Sequence, residues 1–316
     1  AEVDKFMEGQ VSNKKIAGGI VVIARAGKIG FFHTYGQMDI EAKKPMAQDT
    51  IFRLYSMSKA ITTAAALTLY DAGKLKLDDP VSKYIPGFAK LQVAAKDGLR
   101  APTREMTVQD LMLHTAGLTY GAGPDPVKEA FGRLKPLASK DLKEMADKLA
   151  QIPLAYDPGT DWVYSVASDV LGRVVEVASG ESLDVFLQKA IFEPLEMSDT
   201  GFTVPEAKLS RFAANYSRSA DGLKLVDEPA KSQFAKKGTF FSGGGGLVGT
   251  ARDYTRFLLM VQNGGELNGK RILKAETAKL MTTNQLPEKA FPIRFGTEVR
   301  HGTGFGLGFS VRTEIT

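Results

Sequence analysis

The stretch Phe52-Arg53-Leu54-Tyr55-Ser56-Met57-Ser58-Lys59 opens the segment that decides the fold. Residues 56–72 are apolar nearly all round and are followed by Gly73, a usual residue after a helix C-terminus, so they predict a buried helix. Its only charged residues are Lys59 and Asp71. Because lysine is almost never buried without a partner or a task, Lys59 in the first turn marks a candidate site.

Ser56 and Lys59 form a Ser-x-x-Lys pair. Residues three apart share a helix face, so the amine can reach the hydroxyl. A serine attacks only after a base takes its proton, and a lysine serves as that base when its pKa falls well below about 10.4. The pair alone is a weak signal, since Ser12 and Lys15 match as well. Locally, an ordinary N-cap at Ser56 with Lys59 reaching solvent explains it too.

Tyr164 is a further candidate. It lies in Trp162-Val163-Tyr164-Ser165-Val166, after the turn Asp157-Pro158-Gly159 and before a predicted helix, so a loop can present its hydroxyl. A phenolate beside a lysine can relay protons. The alternative is a buried tyrosine that bonds to the backbone.

The composition of the 316 residues is average for a globular protein, with 43% hydrophobic and 24% charged residues. The net charge of +5 is spread along the chain, so we expect no nucleic-acid partner. The longest apolar stretch, residues 16–24, is too short to span a membrane. His33, His114 and His301 match no metal-binding spacing, and the chain has no cysteine, so no metal site is predicted.

Two glycine-rich stretches resemble nucleotide-binding motifs. Residues 244–249 fit G-x-G-x-x-G between a strand-like segment at 239–241 and a helix, but no acidic parallel strand clearly follows. We interpret them as a tight strand-to-helix turn, with Thr250 and Asp253 as a capping box. Residues 264–270 fit a phosphate loop but continue with Arg271, so they predict a hairpin turn. No cofactor is predicted.

The patterns along the chain predict mixed α/β structure at both ends and helices between them. Residues 3–11 predict a helix, and residues 16–25 with 28–37 predict a hairpin. The later predicted helices are 107–114, 139–151, 168–179, 182–192 and 251–263, and residues 305–313 read as a strand. We therefore predict a mixed domain from residues 1–78 and 205–316, and a helical domain from residues 79–204.

Taken together, the motifs resemble the serine β-lactamase-like superfamily. Besides the Ser56 stretch, the matching segments are 106–118, 158–165, 194–202 and 242–248, which extend over nearly the whole chain. The likeness is strongest to class C β-lactamases and family VIII carboxylesterases. It implies an α+β fold in which an antiparallel sheet flanked by helices lies beside a mainly helical domain. It also outweighs the N-cap interpretation of Ser56.

Carried over by position, the resemblance implies that Ser56 is the acylated nucleophile, Lys59 its proton partner and Tyr164 the general base. Class C enzymes usually carry Asn two residues after the tyrosine, where this chain has Val166, and this change favours simple esters. The expected function is a serine carboxylesterase that cleaves small esters through an acyl-enzyme. The alternatives are a β-lactamase or D-alanyl-D-alanine peptidase on the same site, and a catalytically silent penicillin-binding-like sensor or interaction module.

The family's third motif, Lys-Thr-Gly, His-Thr-Gly or Trp-x-Gly, is expected after residues 304–309 and supplies part of the oxyanion hole. The sequence stops at Thr316, and residues 301–304 precede that stretch, so they do not take the role. We therefore expect a fragment in which the mixed domain lacks its last strands and C-terminal helix, and a C-terminal segment, bound separately or lost, completes the sheet. Its start, Ala1-Glu2-Val3-Asp4, has no signal-peptide pattern, so a cytoplasmic location is expected, or a periplasmic or secreted one after leader removal.

Overall fold

The computed structural model describes residues 2–220 and 222–314 and mixes helices with antiparallel strands, which confirms the α+β class. The helices are α1 (Glu2–Ser12), α2 (Ser58–Asp71), α3 (Val108–Leu113), α4 (Asp125–Leu134), α5 (Leu142–Leu149), α6 (Ala167–Ser179), α7 (Leu183–Leu187), α8 (Ala251–Gln262) and α9 (Ala275–Thr282). Among these described helices, none is both long and apolar enough to cross a bilayer.

The strands are short apart from the first two. They are β1 (Gly18–Arg25), β2 (Lys28–Asp39), β3 (Lys44–Pro45), β4 (Ile51–Arg53), β5 (Val93–Ala95), β6 (Gly98–Arg100), β7 (Asn215–Ser219), β8 (Gly222–Asp227), β9 (Val248–Thr250), β10 (Glu266–Leu267), β11 (Lys270–Arg271), β12 (Ile293–Phe295), β13 (Glu298–Arg300), β14 (Thr303–Phe305) and β15 (Ser310–Arg312).

The predicted N-terminal hairpin is confirmed. β1 pairs with β2 in antiparallel register from Gly18 opposite Gly36 to Arg25 opposite Lys28, and β3 extends the sheet on the other side of β2. The two turn residues, Ala26 and Gly27, have φ of 50° and 74°, as a tight two-residue hairpin turn requires. The hairpin at 264–270 is confirmed too, as β10 and β11.

Strand β4, which leads to Ser56, pairs with β9, which leads to α8. This pairing brings the glycine-rich residues 242–246 beside the start of α2. The pairing joins an N-terminal part of the chain to a C-terminal part. Helices α3 to α7 and the β5–β6 hairpin lie between β4 and β9 in the sequence. The division into two domains at residues 78 and 205 stays a prediction, as does the C-terminal segment expected to complete the sheet. The outer limits, Ala1 and Thr316, lie outside the described residues.

Helix α2 lies in the core and packs against α6, and Ile61 and Leu67 on it are fully buried. It begins two residues later than predicted, after a 3-10 turn at Tyr55–Met57, and Gly73 follows it with a φ of 70°. The N-cap interpretation of Ser56 is wrong, because Ser56 lies inside the 3-10 turn and Met57 takes the N-cap position.

Three details of the sequence prediction are wrong. Residues 305–313 form two strands, β14 and β15, with a turn at 306–309, where Gly308 has a φ of 83°. Residues 239–241 form no strand, and β9 separates the glycine run from α8. The predicted capping box is half present: Thr250 accepts from the Asp253 N–H, while the Asp253 carboxylate bonds to Thr200 and to the Asp199 N–H.

Candidate active site

Ser56 lies on the exposed 3-10 turn at the start of α2, and Lys59 lies below it in the core. Lys59 is 6% exposed, and its Nζ donates a hydrogen bond of 3.2 Å to Ser56 Oγ. The alternative in which Lys59 reaches solvent is therefore wrong. The second Ser-x-x-Lys match lacks this arrangement, because Ser12 Oγ bonds to the Gly9 carbonyl and Lys15 is exposed.

Polar and aromatic groups surround the Lys59 amine. Its Nζ donates to the Gly244 carbonyl oxygen at 2.6 Å. It also lies 4.6 Å from the ring centre of Tyr164 and 5.8 Å from that of Tyr120. Aromatic faces attract a cation, and the attraction grows when water is excluded. These contacts offset the cost of burying an amine and fix its direction toward Ser56.

Tyr164 lies half-buried in the loop before α6, as expected from its sequence context. Its ring centre is 4.9 Å from that of His114, 5.3 Å from that of Phe295 and 5.9 Å from that of Tyr120. Through the amine of Lys59, the structure brings all three residues predicted from the sequence into one cluster. Their catalytic roles stay predictions.

The His114 ring packs against the Tyr164 ring. His114 ends α3 in the left-handed conformation, with a φ of 60°, and is 2% exposed. Its Nδ1 lies 3.2 Å from Ser165 Oγ. Burial, together with the charge of Lys59, lowers the pKa of His114 to about 3. The imidazole is therefore neutral at physiological pH and packs against the tyrosine without adding charge.

The glycine run 243–246 has a structural reason that is unrelated to nucleotide binding. A Cβ at Gly243 would lie 2.5 Å from the Ser168 carbonyl oxygen, and a Cβ at Gly244 would collide with the Asp169 carboxylate. Only glycine lets this loop approach α2 and α6 closely enough for the Gly244 carbonyl to reach Lys59. This loop thus packs between two helices and does not form the strand-to-helix turn predicted from the sequence.

A cavity of about 440 Å³ lies beside Tyr55, the residue that precedes Ser56. Tyr55 and Gly245 line it, and aromatic rings form much of the rest: Phe202, Phe234, Phe240 and Phe241. Tyr55 itself has a φ of 44°, and its hydroxyl accepts a hydrogen bond of 2.9 Å from Asn215 Nδ2. A cavity of this size and lining is typical of a small-molecule site.

The sequence reasoning missed three contributors to the site. Tyr120 and Phe295 enclose Tyr164, and Asp169 contacts the glycine run. Tyr120 lies two residues beyond the matched segment 106–118, and Asp169 is an acidic residue in the first turn of α6, where acidic residues are common. Phe295 carries no local signal, because it reaches Tyr164 only through the β12–β13 hairpin.

Comparison with known proteins shows the family of the chain. The model of the Beta-lactamase family matches residues 3–313. Esterase EstB of Burkholderia gladioli is 34% identical over 328 residues, covering 98% of this chain and 78% of EstB. Protein Rv1367c of Mycobacterium tuberculosis is 34% identical over 306 residues, covering 95% of this chain and 76% of that protein.

A solved structure is similar as well. EstCE1, described as a hydrolase with promiscuous acyltransferase activity, superimposes with a TM-score of 0.83 at 29% identity, covering 99% of this chain and 82% of EstCE1. Esterases and acyltransferases among the relatives support a serine hydrolase, and the fold is that of the β-lactamases and penicillin-binding proteins. On the family match and these likenesses, the chain belongs to the Beta-lactamase family.

Proposed function

We propose that the protein is a serine esterase that cleaves small carboxylic esters through an acyl-enzyme on Ser56. One observation carries the proposal: the buried Nζ of Lys59 lies 3.2 Å from the exposed Ser56 Oγ and 4.6 Å from the Tyr164 ring centre. A hydroxyl next to a buried amine and a phenol has the groups it needs to lose its proton. The esterase relatives point to the same chemistry.

In the first half of the reaction, Lys59 and Tyr164 take the proton of Ser56 as its Oγ attacks the ester carbonyl carbon. The Ser56 N–H lies in the first turn of the 3-10 helix, where N–H groups have no partner within the helix, and it donates to the developing oxyanion. The bond to the alcohol oxygen then breaks. The same groups return the proton to the leaving alcohol, and the acyl group stays on Ser56.

In the second half, Tyr164 takes a proton from water as the water oxygen attacks the acyl carbon. The bond between the acyl carbon and Ser56 Oγ then breaks, the acid leaves, and the proton returns to Ser56 Oγ. An alcohol that reaches the same position takes the acyl group instead, which gives transfer. EstCE1, with its acyltransferase description, supports this second outcome. The aromatic cavity beside Tyr55 accommodates an apolar part of the ester.

Val166 favours esters over β-lactams. Its side chain is fully buried at the start of α6, so this position offers no amide group to a substrate. A β-lactam or peptide substrate carries an amide side chain that such a group would bind. A simple ester makes no such demand.

Hydrolysis of p-nitrophenyl acetate and butyrate tests the proposal. We expect Ser56→Ala to fall to the background rate and Ser12→Ala, which changes the second Ser-x-x-Lys match, to keep wild-type activity. A fluorophosphonate should add to Ser56, as peptide mass mapping will show. Retained hydrolysis in Ser56→Ala, or an adduct on another residue, would overturn the proposal. A higher kcat/KM for nitrocefin than for both esters would instead indicate a β-lactamase.

A further inference from the structure

Asp169 is a buried carboxylate that the proposed mechanism does not use. It lies in the first turn of α6 and is 1% exposed. Its Oδ1 accepts from Ser242 Oγ at 2.5 Å and from the Gly244 N–H at 3.0 Å. Burial raises the pKa of Asp169, while these hydrogen bonds and the Lys59 charge act in the opposite direction. Burying a carboxylate is energetically costly, so its position needs a reason.

The peptide between Gly243 and Gly244 is held from both sides. Its carbonyl accepts from Thr62 Oγ1 of α2 at 2.9 Å, and its N–H donates to Asp169 of α6. The next carbonyl, that of Gly244, accepts from Lys59 Nζ at 2.6 Å. A single residue, Gly244, thus connects the carboxylate to the amine: its N–H faces Asp169 and its C=O faces Lys59.

We propose that Asp169 is a positioning residue for the reaction, which acts through Gly244 to hold the Lys59 amine toward Ser56. The inference rests on the proposed function, because it assigns a role within that site. Within the described residues, the Lys59 amine donates hydrogen bonds to Ser56 Oγ and to the Gly244 carbonyl, so this carbonyl helps to fix the direction of the amine. An asparagine in place of Asp169 keeps an acceptor oxygen but loses the negative charge, which weakens the charge-assisted bond from the Gly244 N–H that orients this carbonyl. A misplacement of about 1 Å in such a group can cost about 100-fold in rate.

The charge of Asp169 adds an effect that a purely structural residue lacks. The titratable groups around it and Lys59 are Tyr120 and Tyr164 from the loops and His114 at the end of α3. Asp169 contributes to the raised pKa of Tyr120, although burial is the larger cause. A negative charge favours the protonated form of a neighbouring acid or base. Removing the Asp169 charge should make the proton-accepting group of the site easier to deprotonate. The acidic limb of the kcat/KM pH profile should therefore move to lower pH.

The test compares Asp169→Asn with Asp253→Asn. Asp253 is a matched control: it is 4% exposed, lies in the first turn of α8, bonds to Thr200 and to the Asp199 N–H, and has a pKa raised by burial. We expect Asp169→Asn to lower kcat about 10- to 100-fold with KM nearly unchanged, and to shift the acidic limb. Asp253→Asn should keep kcat and the wild-type profile while losing stability.

Ser242→Ala provides a second route if Asp169→Asn fails to fold. It removes one donor to the carboxylate but leaves the charge, so we expect a smaller fall in kcat and an unshifted limb. Unchanged kcat in Asp169→Asn, or in Ser242→Ala where only that variant folds, would overturn the inference.

The rate of Ser56 labelling by a fluorophosphonate separates this inference from the proposed function. We expect wild type to label and Asp169→Asn to label at least 10-fold more slowly. Equal rates would overturn the role of Asp169 and leave the esterase proposal intact. No labelling of wild type would overturn both.

Discussion

His114 gives the protein a stability that should depend on pH. Its imidazole is buried beneath Tyr164, where burial lowers its pKa from 6.5 to about 3. The informative change is His114→Asn. Asparagine tolerates the left-handed φ of 60° at this position and keeps a polar atom near Ser165 Oγ. The variant leaves a cavity, so it loses stability at every pH, but it has no imidazole to titrate.

The size and sign of the effect follow from the two pKa values. Below pH 6.5 the unfolded chain binds a proton at His114, while the folded protein binds it only near pH 3. The neutral buried imidazole therefore contributes its full stability above pH 6.5, and this stability is lost as the pH falls toward 3. A pH of 5 lies about 1.5 units below the unfolded-state pKa of 6.5, and each unit corresponds to about 1.4 kcal/mol of stability. His114 should thus lower the free energy of unfolding by about 2 kcal/mol between pH 8 and pH 5.

Urea unfolding at pH 8 and pH 5 measures this difference for wild type and His114→Asn. Other groups titrate in the same interval, so the quantity to compare is the change between the two pH values in each protein. We expect the wild-type change to exceed that of His114→Asn by about 2 kcal/mol. His301→Gln, at an exposed histidine, should behave like wild type. Equal changes in wild type and His114→Asn would refute the reasoning.

Two further substitutions test the site and its packing. Tyr164→Phe should lower kcat for p-nitrophenyl butyrate by about 100-fold or more, since it removes a proton-transfer group, and a thermal midpoint within a few degrees of wild type would exclude misfolding. Gly243→Ala should lower the free energy of unfolding by about 1–3 kcal/mol, because its Cβ would lie 2.5 Å from the Ser168 carbonyl oxygen. Gly238→Ala, where no atom lies within 4 Å of the new Cβ, should leave stability nearly unchanged, and equal urea midpoints for both variants would contradict this account.

The sequence predicted those parts of the fold that depend on local patterns. The β1–β2 hairpin follows from two apolar runs joined by Ala26-Gly27, and α2 follows from an apolar segment that ends before Gly73. The 305–313 strand was wrong because glycines 306 and 308 bend an apolar run back on itself. A single strand and a tight hairpin share the same residue preferences there.

How well each site residue could be predicted depends on how far apart its contacts lie in the sequence. Ser56 and Lys59 are three residues apart, so helix geometry alone brings them together. The role expected of Tyr164 came from the family resemblance, because no local pattern connects residues 59 and 164. Asp169 was missed since an acidic residue in the first turn of a helix is common. Only the contact with Gly244, 75 residues away, distinguishes it.

The central claim is that the buried amine of Lys59 makes the Ser56 hydroxyl able to attack acyl carbon. The rate of Ser56 acylation by p-nitrophenyl butyrate, followed as the pre-steady-state burst, tests it most directly in wild type, Lys59→Met and the exposed-site control Lys15→Met. We expect a burst in wild type and in Lys15→Met, and a rate at least about 1000-fold lower in a folded Lys59→Met. A burst of wild-type rate in Lys59→Met would contradict the account.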